Sequence, residues 1–175
     1  FPLPPGITNA GIDPATEQSA ADFLRKSTLP IKLRSNWADV QTARQRFGEI
    51  VRNTKIPDAL RMENGWTLSL YGAGVWGRLV RKGKYETNPP HFDDTLVSAC
   101  ASMISQQQKS RLPSWIVPIP SRRNNMLVKS FAERLAKMLN IPCWCGLVKV
   151  DDTPPQKKME NSVYQQNNVI NAFKV

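Results

Sequence analysis

The chain has 175 residues, of which 24 are Lys or Arg and 14 are Asp or Glu, so its formal net charge is +10. That length permits one or two small domains burying roughly 70% of their unfolded surface, and the positive excess favours a polyanionic partner such as nucleic acid. No run approaches the roughly 20 apolar residues of a membrane helix, no secretory leader is visible, and the charge divides evenly at +5 in residues 1–90 and +5 in residues 91–175, which argues against a disordered basic tail.

Phe1 to Pro14 carries four prolines and two glycines, too dense for a regular element, and reads as a linker. Thr16 to Lys26 is expected to form a short helix with Ala20, Phe23 and Leu24 inward, so that residues 1–30 make a linker and a short helix. Trp37, Val40, Phe47, Ile50 and Val51 predict an amphipathic helix capped by Ser35 or Asn36, with Pro57 beyond its end. In Met62 to Tyr71, Asn64-Gly65 is a hairpin-turn signal, and Trp66, Leu68 and Leu70 alternate with Thr67, Ser69 and Tyr71 as in a half-buried strand. Gly72-Ala-Gly-Val-Trp-Gly77 matches the dinucleotide fingerprint in form. The residues after it, Lys82-Gly-Lys-Tyr-Glu-Thr-Asn-Pro-Pro90, lack the second apolar strand and acidic residue that binding requires, so a glycine-rich turn packed on Trp76 is the favoured reading.

Arg78, Arg81, Lys82 and Lys84 fall within seven residues and are flanked by Trp76 and Tyr85. Cations neutralise phosphates and aromatic rings stack on exposed bases, the combination that grips single strands. The competing reading is a solvated helix end with Trp76, Leu79 and Val80 buried. Asp93 or Asp94 then caps a helix reaching Gln106, with Leu96, Val97, Cys100, Met103 and Ile104 inward. Residues 31–110 are thus expected to form a helical and hairpin accessory module, compatible with a winged-helix-like arrangement.

Trp115 to Ile119 is a short apolar run between Pro113 and Pro120 that suits a strand buried on both faces. Leu127, Phe131, Leu135 and Leu139 recur every four residues, widened by Val128, Ala132, Ala136 and Met138, and Asn140-Ile-Pro142 closes that helix. Cys143 to Val150 supplies a second strand, completing the order of a parallel strand, helix, strand unit with a right-handed crossover. Ser121, Arg122, Arg123, Asn124 and Asn125 then lie beyond the carboxyl end of a strand, where ligands of open α/β sheets bind. Ser121, Arg122, Arg123 and Asn124, with Gln156, Lys157 and Lys158 on a covering loop, are a candidate anion cradle. An ordinary helix-entry turn capped by Asn124 or Asn125 is the alternative.

Val117-Pro-Ile-Pro120, the Phe131 to Leu139 helix, Thr153-Pro-Pro-Gln156 and Asn168-Val-Ile-Asn-Ala-Phe173 resemble the ComF-type branch of the type I phosphoribosyltransferases. More closely, Trp115 through Phe173, with Gln156-Lys-Lys-Met-Glu-Asn-Ser162 and Gln165-Gln166, resembles the phosphoribosyltransferase-like region at the C-terminus of some bacterial RecQ-family DNA helicases. Gly72 to Val80, Lys82-Gly-Lys-Tyr85 and Phe92-Asp-Asp-Thr-Leu-Val97 are similar to the segment before that region, so the likeness spans roughly residues 30 to 175. It implies a mixed α/β chain whose residues 111–175 form a partial phosphoribosyltransferase-like domain with a parallel sheet. It also implies single-stranded or forked DNA and repair proteins as partners, and a cytoplasmic, nucleoid-associated location in a bacterium.

Two departures shape what is carried over. Transferases of this type bind phosphorylated ribose on a strand, two acidic residues, then Thr-Gly or Ser-Gly, whereas Val148-Lys-Val-Asp-Asp-Thr153 runs into two prolines. No initiating Met and no Gly-Lys-Ser/Thr phosphate loop occur, so the chain is read as a fragment without motor lobes, needing no cofactor itself, with ATP and Mg2+ expected on the missing lobes. Three readings compete: a DNA-binding and regulatory region with a non-catalytic scaffold, a catalytic phosphoribosyltransferase completed beyond Val175, and a protein-interaction module. His91 in Pro89-Pro-His-Phe92 has no nucleophile near it in sequence, which disfavours a hydrolytic triad. Cys100, Cys143 and Cys145 are expected to pack in the interior of a protein from a reducing compartment rather than to bind metal.

Overall fold

The structure is a computed structural model that describes residues 13, 15–16, 19, 28–107, 112–121 and 124–175. The expected linker over Phe1 to Pro14 and nearly all of the expected Thr16 to Lys26 helix lie outside these residues. The described chain is a mixed α/β assembly of five α-helices and two small antiparallel sheets, as expected in class.

Strand β1 (Leu29–Ile31) pairs antiparallel with β2 (Gly65–Thr67), placing Leu29 opposite Thr67 and Ile31 opposite Gly65. The Asn64-Gly65 hairpin is therefore not formed. The chain before Asn64 runs as a 3-10 turn over Asp58–Leu60 and irregular backbone, and Gly65 is the first strand residue rather than a turn residue, without the positive φ of a hairpin turn. The strand also stops at Thr67, short of the alternation that reached Tyr71.

Helix α1 (Val40–Phe47) begins later than expected, because Asp39 takes the cap: its carboxylate accepts from the Thr42 N–H at 3.1 Å and the Thr42 hydroxyl at 2.7 Å. These bonds favour the charged form and hold Asp39 below the usual carboxylate range. Asn36 instead bridges to Lys55, and Trp37 stacks on Phe47 at 5.4 Å. Ala43 and Val51 form the buried centre of this segment, which Gly48 closes with φ 68° and an N–H donated to Arg44 O.

Helices α2 (Gly74–Tyr85), α3 (Asp94–Gln107) and α4 (Asn125–Leu139) follow. The principal core lies between α3 and α4, where Val97, Ala101 and Leu135 are buried and Cys100, Ile104, Ile116, Phe131 and Leu139 pack around them. Phe92 meets Phe131 edge to face at 5.5 Å. Arg134 of α4 pins the start of α3 by an ion pair to Asp94 and a 2.7 Å donation to the Phe92 carbonyl. The four-residue spacing of Leu127, Phe131, Leu135 and Leu139 thus reports the packed face, but Met138 points outward at 51% exposure. Asn140 adopts the left-handed conformation expected of a helix stop, with φ 54° and ψ 45°.

The expected strand over Trp115 to Ile119 is reduced to one parallel bridge, Ile116 with Cys143. Pro118 has no N–H to continue the ladder, and Trp115 and Ile119 are 56% and 65% exposed instead of buried. Helix α4 lies between the two bridge partners, but neither belongs to a strand, so the expected parallel strand, helix, strand unit is not formed among the described residues. Strand β3 (Val148–Lys149) pairs antiparallel with β4 (Phe173–Lys174), so it joins no parallel sheet. Helix α5 (Ser162–Val169) is capped by Asn161, which accepts from the Val163 and Tyr164 N–H groups. Gln166 of α5 clasps the entry to α1: its carbonyl oxygen accepts from the Ala38 N–H at 2.8 Å and the Asp39 N–H at 3.2 Å, and its amide donates to Asp39 O at 2.7 Å.

Candidate nucleic-acid interface

Helix α2 presents two unlike faces. Trp76, Val80 and Gly83, spaced by four and three residues, share the inward stripe. Gly77 beside them passes so close to the preceding turn that a Cβ would sit 2.6 Å from Leu70 O and 2.8 Å from Gly72 N. Gly72 and Gly74 have φ of 75° and 59°, the left-handed values that let the chain reverse into the helix. The Gly72 to Gly77 string is therefore a packing turn, the favoured one of its two readings.

The opposite stripe is Arg78, Arg81, Lys82 and Tyr85, at positions i, i+3, i+4 and i+7, all exposed. Lys84 lies on its flank. Trp76 is not on this face: it is 9% exposed and its Nε1 is buried without a hydrogen-bond partner, so it cannot stack on a base. Tyr71 takes its place. It is 62% exposed, beside Tyr85 at 65%, and Lys84 Nζ lies 5.8 Å from the Tyr71 ring centre and 5.3 Å from that of Tyr85, within cation–π range. Helical side chains lean toward the helix N-terminus, which carries Lys84 and Tyr85 back toward Tyr71. The sequence signal for Tyr71 was its place on the polar phase of the Trp66 to Tyr71 alternation.

The two phenols are electrostatically distinct. The hydrogen bond with Tyr85 raises Tyr71 above the usual phenol range, and the Tyr71 hydrogen bond, followed by that of Lys84 and its charge, lowers Tyr85. Opposite shifts across one contact fit Tyr71 as donor and the Tyr85 oxygen as acceptor. Lys157 also lowers Tyr85 through its charge, so the Gln156 to Lys158 segment contributes a cation to this face. Two carboxylates temper it. Arg81 lies 3.9 Å from Glu86 with both side chains more than half exposed, and Lys82 lowers the Asp93 carboxyl after the stronger effect of its Thr95 hydrogen bonds. A pair that open contributes little, and a phosphate can displace it.

The second expected site is described only in part. Arg122 and Arg123 lie outside the described residues. The Ser121 hydroxyl accepts from the Asn124 N–H at 3.4 Å, and Asn124 occupies the cap position of α4 without a side-chain cap bond. Gln156 is anchored: its amide donates to Gln165 O at 2.9 Å, and its carbonyl oxygen accepts from Asn168 Nδ2 at 2.7 Å, while Asn168 also donates to Pro154 O at 3.0 Å. Its polar atoms therefore brace the loop, which forms a 3-10 turn over Gln156–Lys158 with both lysines exposed.

A cleft of about 770 Å³, unforeseen in the sequence, is lined by Arg34, Asp58, Arg61, Glu63, Trp66 and Gln107 among others. Two arginines face two carboxylates there, and Arg61 is paired with Asp58 at 2.9 Å. Its charges balance, so it does not attract a polyanion. Among the described residues no group of three or more His, Cys, Asp or Glu is arranged to hold a metal ion, and no helix is long and apolar enough to cross a membrane. His91 is used through its backbone, donating to Gly83 O at 2.9 Å. No family model, curated protein or solved structure matches the chain.

Proposed function

We propose that this chain binds single-stranded or forked DNA, as the C-terminal regulatory region of a RecQ-like ATP-dependent helicase of repair or recombination, with its phosphoribosyltransferase-like part a non-catalytic scaffold. The observation that carries the DNA reading is the exposed stripe Arg78, Arg81, Lys82 and Tyr85, widened by Tyr71, Lys84 and Lys157. Its helical positions carry three cations and then Tyr85, and Tyr71, before the helix, adds a second ring beside it. Phosphates neutralise the cations with release of counterions, and unpaired bases stack on the tyrosines, a combination tolerant of sequence. The helicase assignment and the scaffold part of it draw on the resemblance of residues 30–175.

The test is fluorescence anisotropy with a labelled oligonucleotide, single-stranded and forked, over a range of salt. Reversing Arg81 and Lys82 together (R81E/K82E) is expected to weaken binding at least tenfold and to flatten the slope of log K against log salt by about 1.4, since each single-strand phosphate contact contributes about 0.7. The same charge change away from the stripe, K55E/K137E, is expected to leave the slope nearly intact. Equal losses in both variants would contradict the assignment.

A further inference from the structure

Cys143 and Cys145 carry chemistry that DNA binding does not use. Their sulfurs lie 3.9 Å apart, and contrary to the expectation that all three thiols pack inside, Cys145 is exposed and Cys143 half-buried. The parallel bridge builds this geometry. Ile116 donates its N–H to Pro142 O at 2.9 Å and accepts from the Trp144 N–H at 2.8 Å, holding the segment extended so that residues two apart share a face. The Trp144 indole folds over Gly146, where a Cβ would collide with the ring, and meets Trp115 edge to face at 6.2 Å. Cys100 is different: it packs against the α3–α4 core, and burial pushes its thiol up to about 11.

We propose that Cys143 and Cys145 are a dithiol site that exchanges with small-molecule disulfides of the glutathione type, closing reversibly into an intramolecular disulfide. The Cys145 thiolate, which solvent reaches, attacks one sulfur of the small disulfide. A bond forms to Cys145 Sγ, and the other sulfur leaves as a thiolate that takes up a proton. Cys143, half-buried with its sulfur 3.9 Å from that of Cys145, reacts second: its thiol gives up a proton and the thiolate attacks Cys145 Sγ. The Cys143–Cys145 bond forms and the second small thiol leaves, so the protein loses two electrons and two protons and the small disulfide becomes two thiols.

Reversibility follows from the backbone. Residues two apart in extended chain have Cα atoms about 6.6–7.2 Å apart, straddling the upper limit for an unstrained disulfide of about 6.8 Å and well above its usual value of about 5.5–6 Å. Closure therefore draws the segment in against the Ile116 bridge, and strained, exposed disulfides are the readily reduced ones.

The experiment is intact-mass spectrometry of the chain incubated with oxidised glutathione under native conditions, followed by unfolding and alkylation. The expected product has lost two hydrogens, retains Cys100 as its single alkylatable thiol, and returns to three thiols with excess reduced glutathione. The C143S variant is expected to stop at a glutathione adduct on Cys145, and C145S to react far more slowly. Three free thiols after the incubation, a stable glutathione adduct on the unaltered chain, or disulfide-linked dimers would each overturn the proposal. Because the decisive product is read on the unaltered chain, misfolding of a variant leaves the test intact.

Discussion

Tyr71 and Tyr85 show how a single contact gives two identical side chains different chemistry. In ultraviolet titration of the phenols, Tyr85 is expected to ionise before Tyr71. Y71F removes the donor and is expected to move the Tyr85 titration upward, toward the ordinary phenol value of about 10. An unchanged curve would show that the two hydroxyls do not meet. In stability, the lowered Tyr85 contributes above the ordinary phenol value and loses this as pH falls through its own. The raised Tyr71 contributes below that value and loses this as pH rises through its own. Y85A is expected to weaken single-strand binding about tenfold, within the range of one lost base stack, with little effect on the salt slope. Trp76 and Tyr71 also mark what one residue's sequence context conceals. Trp76 lies among cations in the chain yet faces inward, and only the phase of α2 relative to Gly77 decides this.

Gly77 belongs to the logic of its element. The added Cβ of G77A would press on backbone atoms of Leu70 and Gly72, which cannot rotate away, and the expected loss is about 1–3 kcal/mol, measured by urea denaturation; wild-type stability would mean the turn is loose. Gln166 ties α5 to α1 with three bonds to backbone. Q166A should cost about 1–3 kcal/mol, because the Ala38 and Asp39 N–H groups lose their acceptor, and amide exchange at these two positions should rise with it. Elements governed by local spacing were legible: α3, α4 and the Asn140 stop follow from periodicity and chain geometry alone. The strands were not. β2 pairs with the distant Leu29–Ile31, which no local pattern announces, and Pro118 limits the Trp115 run to one bridge although its apolar content suggested a full strand.

Across the whole molecule, charge is organised by placement rather than by excess. The α2 stripe gathers cations around two rings, while the cleft near Trp66 sets arginines against carboxylates. Composition indicated a polyanionic partner but not which cations act together, since Lys157 reaches Tyr85 only through folding. α3 and α4 join residues before and after Arg111 in one core, so disturbance of that core should reach the interface as well. L135A is expected to cost about 2–5 kcal/mol, read by thermal unfolding, and to lower DNA affinity only where it unfolds the chain. The most direct test of the account is the salt dependence of binding to a single-stranded oligonucleotide. A linear fall of log K with log salt, of slope about −2 to −3 for three or four phosphate contacts and flattened in R81E/K82E, is predicted. Absence of binding in dilute buffer, or a slope untouched by that double reversal, would contradict it.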